Sequence, residues 1–139
     1  MKNIKFRGQK DYCKEWTYGN LIQFTWADFI VKFGSFEDRQ RVIPETVGQF
    51  TGLTESYERT ESFEPKEIYQ HDILEMEYEG KKIICFVEFE ICGFILVSND
   101  FEDGYIWITD VEEHEVDEAS WIPFSRIIGN IHDNPELIK

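Results

Sequence analysis

Three histidines and three cysteines are the side chains of this 139-residue sequence best suited to metal ligation, proton transfer or nucleophilic attack. His71, His114 and His132 are 43 and 18 residues apart, so no local spacing forms a ligand set. Each reads as a surface or hydrogen-bonded structural histidine. His71 and Asp72 make an acid–base couple on paper, but neighbours in a strand point to opposite faces and gain no geometry from adjacency. Cys13, Cys85 and Cys92 include no C-x-x-C pair, and their odd number disfavours a disulfide framework. Cys85 and Cys92 lie in apolar runs, where a thiol packs as a small buried hydrophobe, and the set points to a reducing cytoplasm.

The carboxylates were tested for calcium. An EF-hand loop begun at Asn99 places Asp103 and Gly104 correctly at positions five and six. Position three is then Phe101 and position twelve Asp110, which removes a ligand and the bidentate glutamate. Residues 110–118 carry six acids (Asp110, Glu112, Glu113, Glu115, Asp117, Glu118) and read as a solvated loop, with weak divalent-ion binding or docking of a basic partner as alternatives. With 28 Asp and Glu in the chain, some carboxylate pairs are inevitable and none is singled out for acid–base work. G-x-x-x-x-G-K, G-x-G-x-x-G, G-x-S-x-G and H-E-x-x-H are all absent. The expectation is therefore a non-enzyme with no catalytic, cofactor-binding or metal-ligating residue to name.

Charge is unevenly spread. The chain carries 14 Lys and Arg against 28 Asp and Glu, a net charge of −14. Residues 1–43 hold eight basic and five acidic residues (+3), and residues 44–139 hold six and 23 (−17). An acidic body repels phosphate backbones, so direct nucleic-acid binding is not expected. A mildly basic arm is attracted to such a body, in its own chain or in another copy. At 42% hydrophobic and 16% aromatic the chain is too apolar for a disordered acidic tail. The aromatics read as core, because base stacking needs a basic groove and residues 44–139 offer the reverse. No apolar stretch approaches the ~18–20 residues of a membrane-spanning helix, and the N-terminus has no apolar segment of a secretory signal.

The elements that must carry these residues read as strands. Residues 3–7 alternate as a short strand. Residues 16–33 predict two strands about a Gly19-Asn20 turn, with a helix over Trp26–Phe33 as the alternative. Gly48 and Gly52 bracket another strand, and residues 54–65 read as an exposed loop. Strands follow at 73–78, 82–89, 91–97, 105–109, 119–123 and 126–131, and Asn134-Pro135 begins a last helical turn. Short strands with Gly and Asn/Asp turns, and no βαβ alternation, indicate a mainly β fold: a small antiparallel barrel or curled sheet. The expected division is a strand-rich part near 1–60, a candidate oligomerisation element, and a C-terminal part near 61–139.

Three stretches together resemble the YopX family of phage and prophage proteins. They are Trp16-Thr-Tyr-Gly-Asn-Leu21, then Pro44-Glu-Thr-Val-Gly-Gln-Phe-Thr-Gly-Leu53 with Lys66-Glu-Ile-Tyr-Gln-His-Asp-Ile-Leu74, and finally Ile127-Ile-Gly-Asn-Ile-His-Asp-Asn-Pro-Glu-Leu137. The resemblance implies a C-terminal SH3-like β-barrel behind a smaller N-terminal part, with no established activity and no catalytic residue to carry over. One departure stands out. The family joins its central pieces by a tight turn and continues I-Y-E-G-D-I, whereas here residues 54–65 intervene and Gln70-His71 replaces Glu-Gly. If that glycine has positive φ, His71 must change the backbone or carry strain.

These observations predict a phage or prophage accessory protein of the bacterial cytoplasm, acting as a homo-oligomer or on a host protein, without membrane or direct nucleic-acid contact. The alternative is an acidic nucleic-acid mimic that occupies a host DNA- or RNA-binding protein through residues 110–118.

Overall fold

The computed structural model describes residues 4–32, 35–57, 64–114 and 120–138. The fold is mainly β, built from antiparallel sheets with short 3-10 turns, and no sheet closes into a barrel among the described residues. The implied C-terminal barrel is thus an open, curled sheet. The chain divides into two compact units, Met1–Phe50 and Thr51–Lys139, a boundary earlier than the one expected at 60/61.

In the first unit β1 (Phe6–Gln9), β2 (Trp16–Gln23), β3 (Asp28–Val31) and β4 (Gln40–Val42) form an antiparallel meander. β1 also pairs through Phe6 and Arg7 with Gln49 and Gly48, at the start of β5 (Gly48–Thr54). The helix alternative for 26–33 is not realised, because Phe29, Ile30 and Val31 are buried as β3. The predicted Gly19-Asn20 turn is corrected too. β2 runs straight through both residues, and the reversal falls at Phe24–Ala27, where Phe24 N–H donates to Ala27 O at 2.9 Å. Gly19 serves close approach instead: a Cβ there would lie 2.4 Å from the Val31 carbonyl oxygen.

In the second unit β6 (Glu67–Tyr69) pairs with β5, and Thr51 Oγ1 donates to Ile68 O at 2.7 Å. β7 (Asp72–Tyr78), β8 (Lys81–Glu90), β9 (Gly93–Val97) and β10 (Tyr105–Trp107) form a meander. β11 (Glu113–His114) pairs with β12 (Ser120–Trp121), which runs parallel to Leu53–Thr54. β13 (Ser125–Asn130) closes the sheet order β10-β9-β8-β7-β13. Alternation along β7 and β8 sends Leu74, Met76, Ile83, Cys85 and Val87 into one core with Leu53, Ile68, Leu96 and Ile122. Each fully buried aliphatic side chain contributes about 1.5–3 kcal/mol of transfer free energy.

The segment 54–65 is not wholly an exposed loop. Glu55 and Ser56 are buried, and residues 58–63 lie outside the described residues. Glu55 Oε1 accepts from Lys66 N–H (3.2 Å) and Oε2 from Ile127 N–H (2.9 Å), so one carboxylate ties two chain segments together. The strand expected at 91–97 begins at Gly93, because the chain reverses at Ile91-Cys92.

Candidate interaction surface

The first unit gathers aromatic and arginine side chains on one face. The short reversal between β2 and β3 leaves Phe24 and Trp26 at its corner, 41% and 64% exposed. A 3-10 turn at Phe36–Asp38 adds Phe36, 44% exposed. Buried Phe29 is the hub, with ring centroids 5.9 Å from Phe24, 5.6 Å from Trp26 and 5.9 Å from Phe36. Phe24 and Trp26 stack at 5.4 Å and 17°. Strand register sets Arg41 opposite Phe29, and its guanidinium lies 5.9 Å from the Trp26 ring while Nε is 3.5 Å from Asp11. Arg39 stands 4.5 Å above the Phe36 ring and donates to Phe36 O at 3.1 Å. The expectation that the aromatics form core holds for Phe29 and fails for these three. No sequence period reveals it, since Phe24 and Trp26 sit on the reversal at Phe24–Ala27 and Phe36 on the 3-10 turn Phe36–Asp38. A contiguous exposed apolar patch rimmed by cations marks an interaction site, and Trp and Arg are the residues that most often anchor one.

The second unit brings together two of the three histidines that spacing alone kept apart. His71 Nδ1 lies 2.9 Å from His132 Nε2, and His71 Nε2 lies 3.5 Å from Glu88 Oε1. The Glu88 carboxylate also accepts from Gln70 Nε2 (2.8 Å) and Phe89 N–H (3.1 Å). Burial pushes the Glu88 pKa up, but the bonds from His71, Gln70 and Phe89, with the His71 charge, outweigh it and hold the group at about 2. His71 thus meets Glu88 through Nε2 and His132 through Nδ1. His132 is placed by an Asn130 turn, whose Oδ1 accepts from the N–H groups of His132 and Asp133, both at 3.0 Å. His71 has φ +80°, the left-handed backbone that favours glycine. The Asp72 carboxylate accepts from Tyr69 N–H at 2.7 Å. His114 sits in β11, opposite Ser120.

A third feature is acidic. The turns after β7 and β9 enclose a cavity of about 390 Å³ with Tyr78, Phe101 and Tyr105 among its walls and Asp100, Glu102 and Asp103 at its rim. This is the stretch that fails as an EF-hand. Asp100 N–H donates to Ser98 Oγ at 3.1 Å, and Gly104 turns the chain back with φ +84°. Of the acidic segment 110–118, Asp110 and Glu113 are exposed, and Glu115, Asp117 and Glu118 lie outside the described residues. Cys85 is buried, which pushes its thiol up to about 12. Cys92, expected in a core, is exposed, as is Cys13. Among the described residues no group of three or more His, Cys, Asp or Glu converges as a metal site, and no helix is long and apolar enough to cross a membrane.

Compared with known proteins, residues 5–139 match the family described as YopX protein, essentially the whole chain. No curated protein matches it.

Proposed function

The chain belongs to the YopX family, and from that premise we propose that it is a non-enzymatic phage or prophage accessory protein acting through protein contacts, by self-assembly or on a host protein. The observation that carries this reading is the exposed Phe24, Trp26 and Phe36 face with Arg39 and Arg41 upon it. Leaving that area to water is unfavourable, and a partner that covers it gains both apolar burial and charge pairing. A reducing bacterial cytoplasm suits a chain whose three cysteines are all free, two of them exposed.

Light scattering across ionic strength tests it. A species larger than the monomer at low salt that loosens as salt rises supports self-assembly. A monomer throughout removes that version and leaves the host protein. The acidic-decoy reading draws on the −17 charge of residues 44–139. It requires competition with DNA for a basic host protein, abolished by neutralising Glu112, Glu113 and Glu115; absence of competition ends it.

A further inference from the structure

Self-assembly leaves open which surface receives the aromatic–arginine face, and the acidic cavity of the second unit has the matching chemistry. We infer that Trp26, with Arg41 beside it and Arg39 over the neighbouring Phe36, docks into the Tyr78–Phe101–Tyr105 cavity of a second copy. The inference rests on the self-assembly version of the proposed function and deepens it.

The cavity and its occupant fit by shape class and by charge. Tyr78 and Phe101 meet edge to face at 5.3 Å, making an aromatic wall of the kind an indole packs against. The space of about 390 Å³ is lined by Glu79, Asp100, Glu102 and Asp103, which outnumber the lining cation Lys81. Such a rim repels an acidic visitor and selects a basic one. In this chain the first unit offers such cations: Arg41 lies 5.9 Å from the ring of the exposed Trp26 and 3.5 Å from Asp11, and Arg39 lies 4.5 Å from the neighbouring Phe36 ring. Both arginines already lie against aromatic rings, so less freedom is lost when they meet carboxylates. Guanidinium–carboxylate pairs add direction to the contact. Every copy carries both faces, and the faces differ, so the interface is head to tail and propagates into a ring or an open chain.

Sedimentation velocity with two complementary variants tests this. Trp26→Ala/Arg39→Ala spoils the projecting face, and Glu102→Lys/Asp103→Lys spoils the rim; all four positions are exposed, and an unchanged thermal melt verifies the fold. Each variant alone is expected to self-associate at least about tenfold more weakly than wild type, the loss expected of an anchor residue. Mixed in equal amounts, they form a one-to-one dimer and nothing larger, because one intact face of each kind remains. The charge-matched control Glu64→Lys/Glu90→Lys associates like wild type. If wild type assembles and the rim variant assembles equally well, the docking inference is overturned while self-assembly stands. If wild type is monomeric at every salt concentration, both fall. Binding of a basic peptide to the cavity without any self-association likewise overturns the second copy as occupant.

Discussion

Replacing Glu88 by glutamine isolates a carboxylate held well below its ordinary pKa. Its pKa stands at about 2 against an ordinary 4.5, although burial acts in the opposite direction. A group held lower in the folded state stabilises the fold above its unfolded pKa, and that stabilisation is lost as pH falls from about 4.5 to about 2. At 1.36 kcal/mol per unit the full shift is worth about 3 kcal/mol. The side chain is 30% exposed, and water screens its partners, which brings the expected contribution to about 1–2 kcal/mol. Glu88→Gln keeps the shape and an oxygen for the Gln70 amide and Phe89 N–H while removing the charge. The variant is expected to be about 1–2 kcal/mol less stable at neutral pH. The gap between the two proteins then narrows below pH 4.5 and approaches zero near pH 2. Urea unfolding at constant ionic strength measures it. The other acids titrate in both proteins, so the difference curve reports Glu88. Parallel curves, or a gap that widens with acid, would refute the claim that His71 and Gln70 hold this carboxylate ionised.

Gly19→Ala puts a Cβ 2.4 Å from a backbone oxygen, and is expected to cost about 3 kcal/mol or prevent folding. Gly80→Ala, at φ +80° but in open space, costs about 1 kcal/mol in the same denaturation series. Glu55→Ala strands the Lys66 and Ile127 N–H groups and should lower stability by about 2–4 kcal/mol. A thiol reagent should modify Cys13 and Cys92 promptly in the native protein and reach Cys85 only on unfolding, counted by absorbance. His71→Ala loses the ring but keeps the left-handed backbone, whereas His71→Gly relieves it, so glycine should be about 1 kcal/mol the more stable of the two; equal melts argue against strain.

Strand type was legible wherever the side-chain period had a face to satisfy. β7 and β8 come out near their expected limits because Leu74, Met76, Ile83, Cys85 and Val87 alternate into one core. Reversals were less legible. Gly19-Asn20 has the composition of a turn, yet Gly19 is spent on admitting the Val31 backbone, and no local signal separates those two uses of glycine. Cys92 follows the same rule: it lies in an apolar run but occupies the turn after β8, where nothing covers it. The exposed aromatic face was not foreseen, because aromatic composition alone reads as core. Nor was its membership, because that depends on β3–β4 register bringing Arg41 to Phe29. The histidine pair was invisible, since His71 and His132 are 61 residues apart and meet only when β13 returns beside β7.

His71 is the position at which a local rule is broken for a tertiary reason. A turn with φ +80° favours glycine, and a glycine there would keep the two backbone bonds of the residue, N–H to Val87 O at 2.7 Å and the carbonyl accepting Ile131 N–H at 3.0 Å. Those bonds alone already tie the turn to β8 and to the segment after β13. What histidine adds is the ring, which reaches Glu88 on β8 through one nitrogen and His132 through the other. The backbone cost is of order 1–2 kcal/mol, and it is offset by a charge-assisted contact and a ring-to-ring contact, each worth a similar amount. A residue near break-even in stability yet bridging two chain segments by both backbone and ring is retained for placement, and what it places is the C-terminal turn carrying His132.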